Sequence, residues 1–167
     1  MPHPALGLPP SDATAGHPDP VRRLRHAGSR IPGLDLQAAL RIEPTLRHRY
    51  DELALRRFLR DYEGHLEQLA RALATGEPRF VVIYGESIVP VYRRRGVRMN
   101  DVVSLLLGLD EAATSVLPGA DADAVRTRMA AWIDRTRHHR RLPCDHTGNA
   151  IARFIWKGVG LGDDSVV

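Results

Sequence analysis

Apolar side chains recur every third or fourth position along most of this chain, the spacing of an amphipathic helix face. Asp35 to Ile42 is expected to form a short helix stopped by Pro44, which itself suits the first position of a longer one. That longer helix is predicted from about Pro44 to Thr75. Its inward stripe is Leu59, Tyr62, Leu66, Leu69 and Leu73, extended upstream by Leu46, Tyr50 and Leu53, and Gly76 is placed to close it. A further helix is expected from about Asp101 to Leu117, with Asn100 as its cap and Val102, Leu105, Leu106, Leu109, Ala113 and Val116 facing inward. Asp121 caps the next, whose apolar face is Val125, Met129, Trp132 and Ile133. After a polar link from Pro143 to Gly148, a last short helix is predicted over Asn149–Lys157, with Ile151, Phe154 and Ile155 inside.

Two stretches read differently. Pro78 to Arg95 opens with PRFVVIYG, whose β-branched residues suit a strand. Yet Phe80, Ile83, Tyr84, Ser87, Ile88 and Val91 fall on one helical face, Pro78 suits a helix start, and Arg93–Arg95 before Gly96 suits a helix end. The pattern favours a helix, kinked at Pro90 where one ladder hydrogen bond is lost. Residues 1–33 hold seven of the 12 prolines and few large apolar side chains, so they are expected to form a disordered or extended arm. The expected fold is therefore all-α: a single five- or six-helix domain over residues 34–167, globin-like or a bundle, behind a flexible N-terminal arm.

Composition narrows the class without naming an activity. At 167 residues, 43% hydrophobic and 26% charged, the chain has the make-up of one soluble globular domain. No apolar run approaches the roughly 18 residues that cross a bilayer. Cys144 stands alone, the first residues carry no signal-peptide pattern, and a cytoplasmic location is expected. Of the 24 basic residues only Lys157 is a lysine. Arginine forks grip carboxylates and phosphates, although biased codons in a GC-rich genome produce the same excess. A net charge of +4 does not by itself mark a nucleic-acid binder.

Three groups of residues are candidates for chemistry. Tyr84, Glu86, Tyr92, Arg95 and Asp101 would line a small-molecule pocket if the kinked helix opened one, a site of the kind that takes a small ligand or a tetrapyrrole. Tyrosines at helical spacing are also ordinary core residues with satisfied hydroxyls. Cys144, His146 and His139 are weak metal candidates, soft enough for zinc or haem iron but short of a four-ligand spacing. Arg126 to Arg141 carries six arginines against Asp134, and Arg135, Arg137, Arg140 and Arg141 are its anion-binding candidates, toward nucleic acid, an anionic membrane or an acidic protein. A solvated helix end reads the same way. No spacing selects a nucleophile and base, so no catalytic residue and no cofactor is predicted, and an enzyme is the less favoured class.

The segment Tyr84–Leu117, YGESIVPVYRRRGVRMNDVVSLLLGLDEAATSVL, resembles the helical N-terminal domains of RsbR-type regulators, in particular the RsbRD N-terminal family and its relatives ahead of PucR-type activators. In those domains a helix ending in arginines and a Gly-Val turn precede an aspartate that opens a leucine-rich helix. Here the sequence is Tyr92-Arg93-Arg94-Arg95-Gly96-Val97, then Asp101, then Val102 to Leu109, and Tyr50–Leu73 would match the family's opening helix. The likeness covers about residues 50–117. It implies an all-α sensory domain, usually dimeric, acting through a protein partner and without established chemistry of its own. Such domains are normally followed by a STAS, kinase or DNA-binding module, which has no counterpart here; NAIARFIWKGVGLGDD, residues 149–164, falls outside the likeness. The three adjacent leucines Leu105–Leu107, which cannot all face one core, add to the expectation of a homodimer.

Overall fold

The computed structural model describes residues 17–139, and these form seven helices with no strand among them. In order they are α1 (Pro18–His26), α2 (Ile31–Ile42), α3 (Leu46–Arg49), α4 (Glu52–Thr75), α5 (Arg79–Arg94), α6 (Met99–Ser115) and α7 (Gly119–His139). The all-α class holds, and Phe80–Tyr84 is helix rather than strand. The expected last helix over Asn149–Lys157 lies outside the described residues. Among those described, no helix is long and apolar enough to cross a membrane.

The expected arm over residues 1–33 is corrected from residue 17 onward. Pro18 and Pro20 stand in the first turn of α1, where a missing N–H removes no intrahelical bond. Asp19 opens that turn and Arg23, Arg25 and His26 close the helix, both favourable to its dipole. Val21 and Leu24 are buried with Ile31 of α2. The His17 N–H donates to the Leu73 carbonyl (2.8 Å), and Arg25 pairs with Glu67 (3.0 Å), which fastens α1 along α4. Proline content is a poor guide here because the prolines sit where a helix tolerates them. For the same reason α2 begins at Ile31, with Pro32 in its first turn, and not at Asp35.

The single helix expected from Pro44 to Thr75 is two. Tyr50 is extended (φ −123°, ψ 133°), and the Asp51 side chain accepts from the Ala54 N–H at 2.7 Å, a true N-cap that starts α4 afresh with Glu52 in its first turn. Downstream the stripe holds: Tyr62, Leu66, Leu69 and Leu73 are buried, joined by Phe58 and His65, and Gly76 ends α4 in the left-handed region at φ 73°. Leu46 is buried on α3, but Leu53 points outward, 57% exposed, because the break rotates α4 away from the register of α3.

α5 has the expected ends and a different inner face. Gly96 (φ 73°) takes the αL position after it, with its N–H on Arg93 O and the Val97 N–H on Tyr92 O, both 2.9 Å. Val81, Gly85, Ile88, Val89 and Tyr92 are buried, whereas Ile83 is 64% exposed and Phe80 36%. Gly85 decides the rotation: a Cβ there would lie 2.8 Å from Cδ1 and Nε1 of Trp132, so only a glycine lets the α7 indole rest on the α5 backbone. Leu105 and Leu106 are fully buried and Leu107 packs half-buried against the core, because α6 is flanked by α2 and α7 on opposite sides. Leu105 and Leu106 are therefore core residues, and Leu107 lies at the edge of the core.

The broadest helix contact is α2 on α6. At its crossing a Cβ on Gly108 would meet the Asp35 carbonyl oxygen at 2.6 Å and the Ala39 nitrogen at 2.8 Å, both backbone atoms that cannot step aside. The Asp35 side chain is buried there with neither carboxyl oxygen hydrogen-bonded; the nearby Tyr62 hydroxyl reaches the Leu105 carbonyl at 3.4 Å. Burial pushes the Asp35 carboxyl well above the usual carboxylate range, because desolvation penalises its charged form. Gly108→Ala should lower unfolding stability by about 2–3 kcal/mol, since the two helices must part. Gly119→Ala, with open space around its Cβ, should change it by less than about 1 kcal/mol in urea unfolding.

Candidate functional site

His65 projects from the inner face of α4 into the meeting point of α5 and α7. It is 3% exposed, and both ring nitrogens are engaged: Nδ1 with the Tyr84 hydroxyl at 2.9 Å and Nε2 with the Tyr92 hydroxyl at 2.8 Å. A neutral imidazole has one N–H and one lone pair, so it donates to one phenol and accepts from the other, leaving neither nitrogen unsatisfied. Trp132 meets the ring edge-on at 5.4 Å between centroids, and Trp132 and Tyr84 meet at 5.5 Å. Spacing explains the grouping. Tyr84 and Tyr92 are eight residues apart on α5, little more than two turns, which brackets one side chain entering from α4. Burial, aided by the Arg95 charge, holds the His65 pKa down to about 3. Burial and the Asp61 carboxylate raise both tyrosines.

Of the residues expected to share a pocket, the structure brings Tyr84 and Tyr92 together around His65 and sets the others apart. Arg95 pairs with Asp61 at 2.6 Å and touches the cluster by its charge rather than by a hydrogen bond. Glu86 lies on the opposite flank of α5, where it bonds Arg135 and, at 2.9 Å, His139 of α7. Burial pulls Glu86 upward, but the bonds from Arg135 and His139 outweigh it and hold its carboxyl below the ordinary range. Asp101 is buried at the start of α6, its oxygens taken by Arg49 and the Tyr50 hydroxyl, each at 2.7 Å. Burial and that bond to Asp101 raise the Tyr50 phenol. The Tyr50 hydroxyl also accepts from the Arg98 N–H (3.3 Å), and Tyr50 packs edge-on against Phe58 at 5.2 Å. Phe58 in turn meets Tyr92 at 6.3 Å. A continuous aromatic row thus runs from Asp101 to His65.

Neither of two surface grooves among the described residues is lined by these tyrosines. One of about 390 Å³ lies between α2 and α6, with Leu34, Ala38 and Ala112 in it and the Arg41–Glu111 ion pair across it. The other, about 300 Å³, lies by Arg25, Gly28 and Leu66. Among the described residues no group of three or more histidine, cysteine, aspartate or glutamate side chains is arranged to hold a metal. Of the weak metal candidates, His139 is spent on Glu86, and Cys144 and His146 lie outside the described residues, as do Arg140 and Arg141. Of the anion candidates, Arg135 bonds Glu86 and Arg137 bonds Asp134 at 3.2 Å.

His65 itself escapes a reading of the sequence, because a histidine between Gly64 and Leu66 carries no motif. The available signal was its place on the inward stripe three residues after Tyr62, opposite two tyrosines on the next helix. Compared with known proteins, the chain matches no family model and no curated protein.

The depressed His65 pKa sets an acid limit on stability. Between pH 6.5 and about 3 the unfolded chain takes up a proton that the folded one refuses. Stability contributed by neutral His65 is complete above pH 6.5 and should fall by up to about 1.4 kcal/mol per pH unit below it. The buried Asp35 carboxyl, raised by desolvation, contributes a slope of opposite sign. The His65 part is therefore read as the stability difference between the unsubstituted chain and His65→Gln in urea unfolding from pH 7 to 4, which should fall on acidification by up to about 1.4 kcal/mol per pH unit. Tyr92→Phe leaves Nε2 buried without its partner and should cost about 1–3 kcal/mol, while the same change at half-buried Tyr84, where water can replace the phenol, should cost less than half as much by thermal unfolding.

Proposed function

We propose that this chain is a regulatory or sensory helical domain, globin-like or a bundle in kind, that acts in the cytoplasm by binding a protein partner. The reading starts from the use the fold makes of its chemistry-bearing side chains. His65, Tyr84, Tyr92 and Trp132 satisfy or pack one another in the core, and Asp101 joins α3 to α6. These groups hold helices in register.

The observation that carries the proposal is on the surface. Leu53, Phe80 and Ile83, three of the five exposed large hydrophobic residues among those described, sit on the outer faces of the neighbouring helices α4 and α5. Large apolar side chains exposed on two neighbouring helices, with arginines beside them, suit a contact surface. The likeness of Tyr84–Leu117 to RsbR-type N-terminal domains supports the same reading.

A photo-crosslinking residue at position 83, introduced into the full chain in its native cells, should capture a discrete protein adduct. The same residue at exposed Thr127 on α7 should capture it at least about fivefold less. Equal capture at both positions, or none at 83, would sink the proposal.

A further inference from the structure

Building on the contact surface just described, we infer that the outer face of the α4–α5 pair receives an acidic, amphipathic segment of the partner protein. Leu53, Arg57, Arg60 and Gly64 follow one another at helical spacing along the solvent side of α4, opposite Phe58, Tyr62 and Leu69. All four are exposed. At Gly64 the stripe has no side chain, and a Cβ there would sit 3.4 Å from the Tyr84 hydroxyl, so the surface dips over the α4–α5 seam. Across the seam α5 presents Phe80, Ile83, Ser87 and Pro90, also exposed.

The charges on this face set the partner's sign. Arg56 is engaged by Glu52, Arg95 by Asp61, and Glu67 by Arg25 and Arg71. Among the described residues Arg57 and Arg60 have no acid, and neither do Arg47 and Arg98 beside Tyr50; Glu63 is the one acid on the flank of the stripe without an ion pair. The basic helix expected to bind anions is different. On α7, Arg126, Arg135 and Arg137 each hold a carboxylate of the fold. Among the described residues, the arginines on the α4–α5 outer face that hold no carboxylate are Arg57 and Arg60.

Charge also narrows the occupant. Residues 1–16 of this chain contain one acid, Asp12, and residues 140–167 contain three acids against four basic side chains, so neither end complements an arginine face. A phosphate backbone would satisfy Arg57 and Arg60 but leave Leu53 and Ile83 in water. Phe80 is no bare stacking platform, since the Arg79 guanidinium lies 5.8 Å from its ring centre. A helix with carboxylates along the edges of an apolar stripe answers both: forked arginine–carboxylate bonds at Arg57 and Arg60, and apolar anchors on Leu53 and Ile83.

The test measures fluorescence anisotropy of the full chain with three labelled probes. They are a synthetic peptide of about 18 residues with a leucine stripe along one helical face and glutamates along both edges of it, a scrambled peptide of the same composition, and a short DNA duplex. The patterned peptide should bind at least about tenfold more tightly than the scramble or the DNA. Arg57→Glu with Arg60→Glu should weaken it at least about tenfold, and Ile83→Ser about threefold without changing the salt slope. Arg126→Glu with Arg137→Glu on α7 should stay within about twofold, and circular dichroism should show every variant folded. Equal binding of patterned and scrambled peptides, tighter binding of DNA, no binding of any probe, or equal loss from the α7 pair would each overturn the inference. So would self-association, seen by light scattering, that Ile83→Ser abolishes, since the occupant would then be a second copy. A partner captured at position 83 in cells while the patterned peptide fails would leave the contact surface standing and remove only its acidic occupant.

Discussion

The position of α5 depends on one imidazole that must stay neutral. His65 enters from α4, takes a hydroxyl on each nitrogen from two turns of α5, and lies against the indole of α7. Each bond alone is worth little over its counterpart in water. Breaking one inside the core leaves a polar group that water cannot reach, and that asymmetry makes the arrangement specific. If α5 turned by one residue, both phenols would leave the ring nitrogens at once. The same rotation would drive a side chain into Trp132, because only Gly85 is bare enough to lie under it. Hydrogen bonding and steric fit therefore choose the same face of α5, and in doing so they turn Phe80 and Ile83 outward.

A second polar fastening holds the opposite end of the aromatic row. Arg49 and Tyr50 converge on Asp101 from the short α3 and the residue that follows it, so the break between α3 and α4 has a use. An uninterrupted helix would carry Tyr50 around with α4. The extended Tyr50 instead lets its ring pack on Phe58 while its hydroxyl reaches the first turn of α6. Between these fastenings the core is filled by leucine, valine and alanine from α2, α4 and α6, whose contribution is mainly burial.

Much of the helix content was legible from periodicity and end signals. Gly76 and Gly96 terminate helices where a left-handed residue was expected, and Val125, Met129, Trp132 and Ile133 form the buried face of α7. The failures came where counting replaced position. Seven prolines suggested a disordered arm, yet those at 18, 20 and 32 occupy first turns. Asp51 followed by Glu52 was a start signal hidden inside a longer apolar stripe. On α5 the residues of both faces are apolar, so hydrophobicity could not choose between them; a glycine opposite a tryptophan did, and that pairing is a tertiary fact. The candidate site was half legible: Tyr84 and Tyr92 belong together, but Glu86 and Asp101 point to other helices, and the histidine between the tyrosines announces itself only once three helices are in place.

The crossing of α2 and α6 has an evolutionary side. Where two backbones touch across Gly108, there is no side chain to trade for another, and a larger residue is accepted only if a whole helix withdraws. Elsewhere in the core a leucine can become a methionine with modest repacking. Here a lineage has no such neutral step open to it. Variation should therefore collect on the outer surface of α7, while the α2–α6 seam is inherited as a unit.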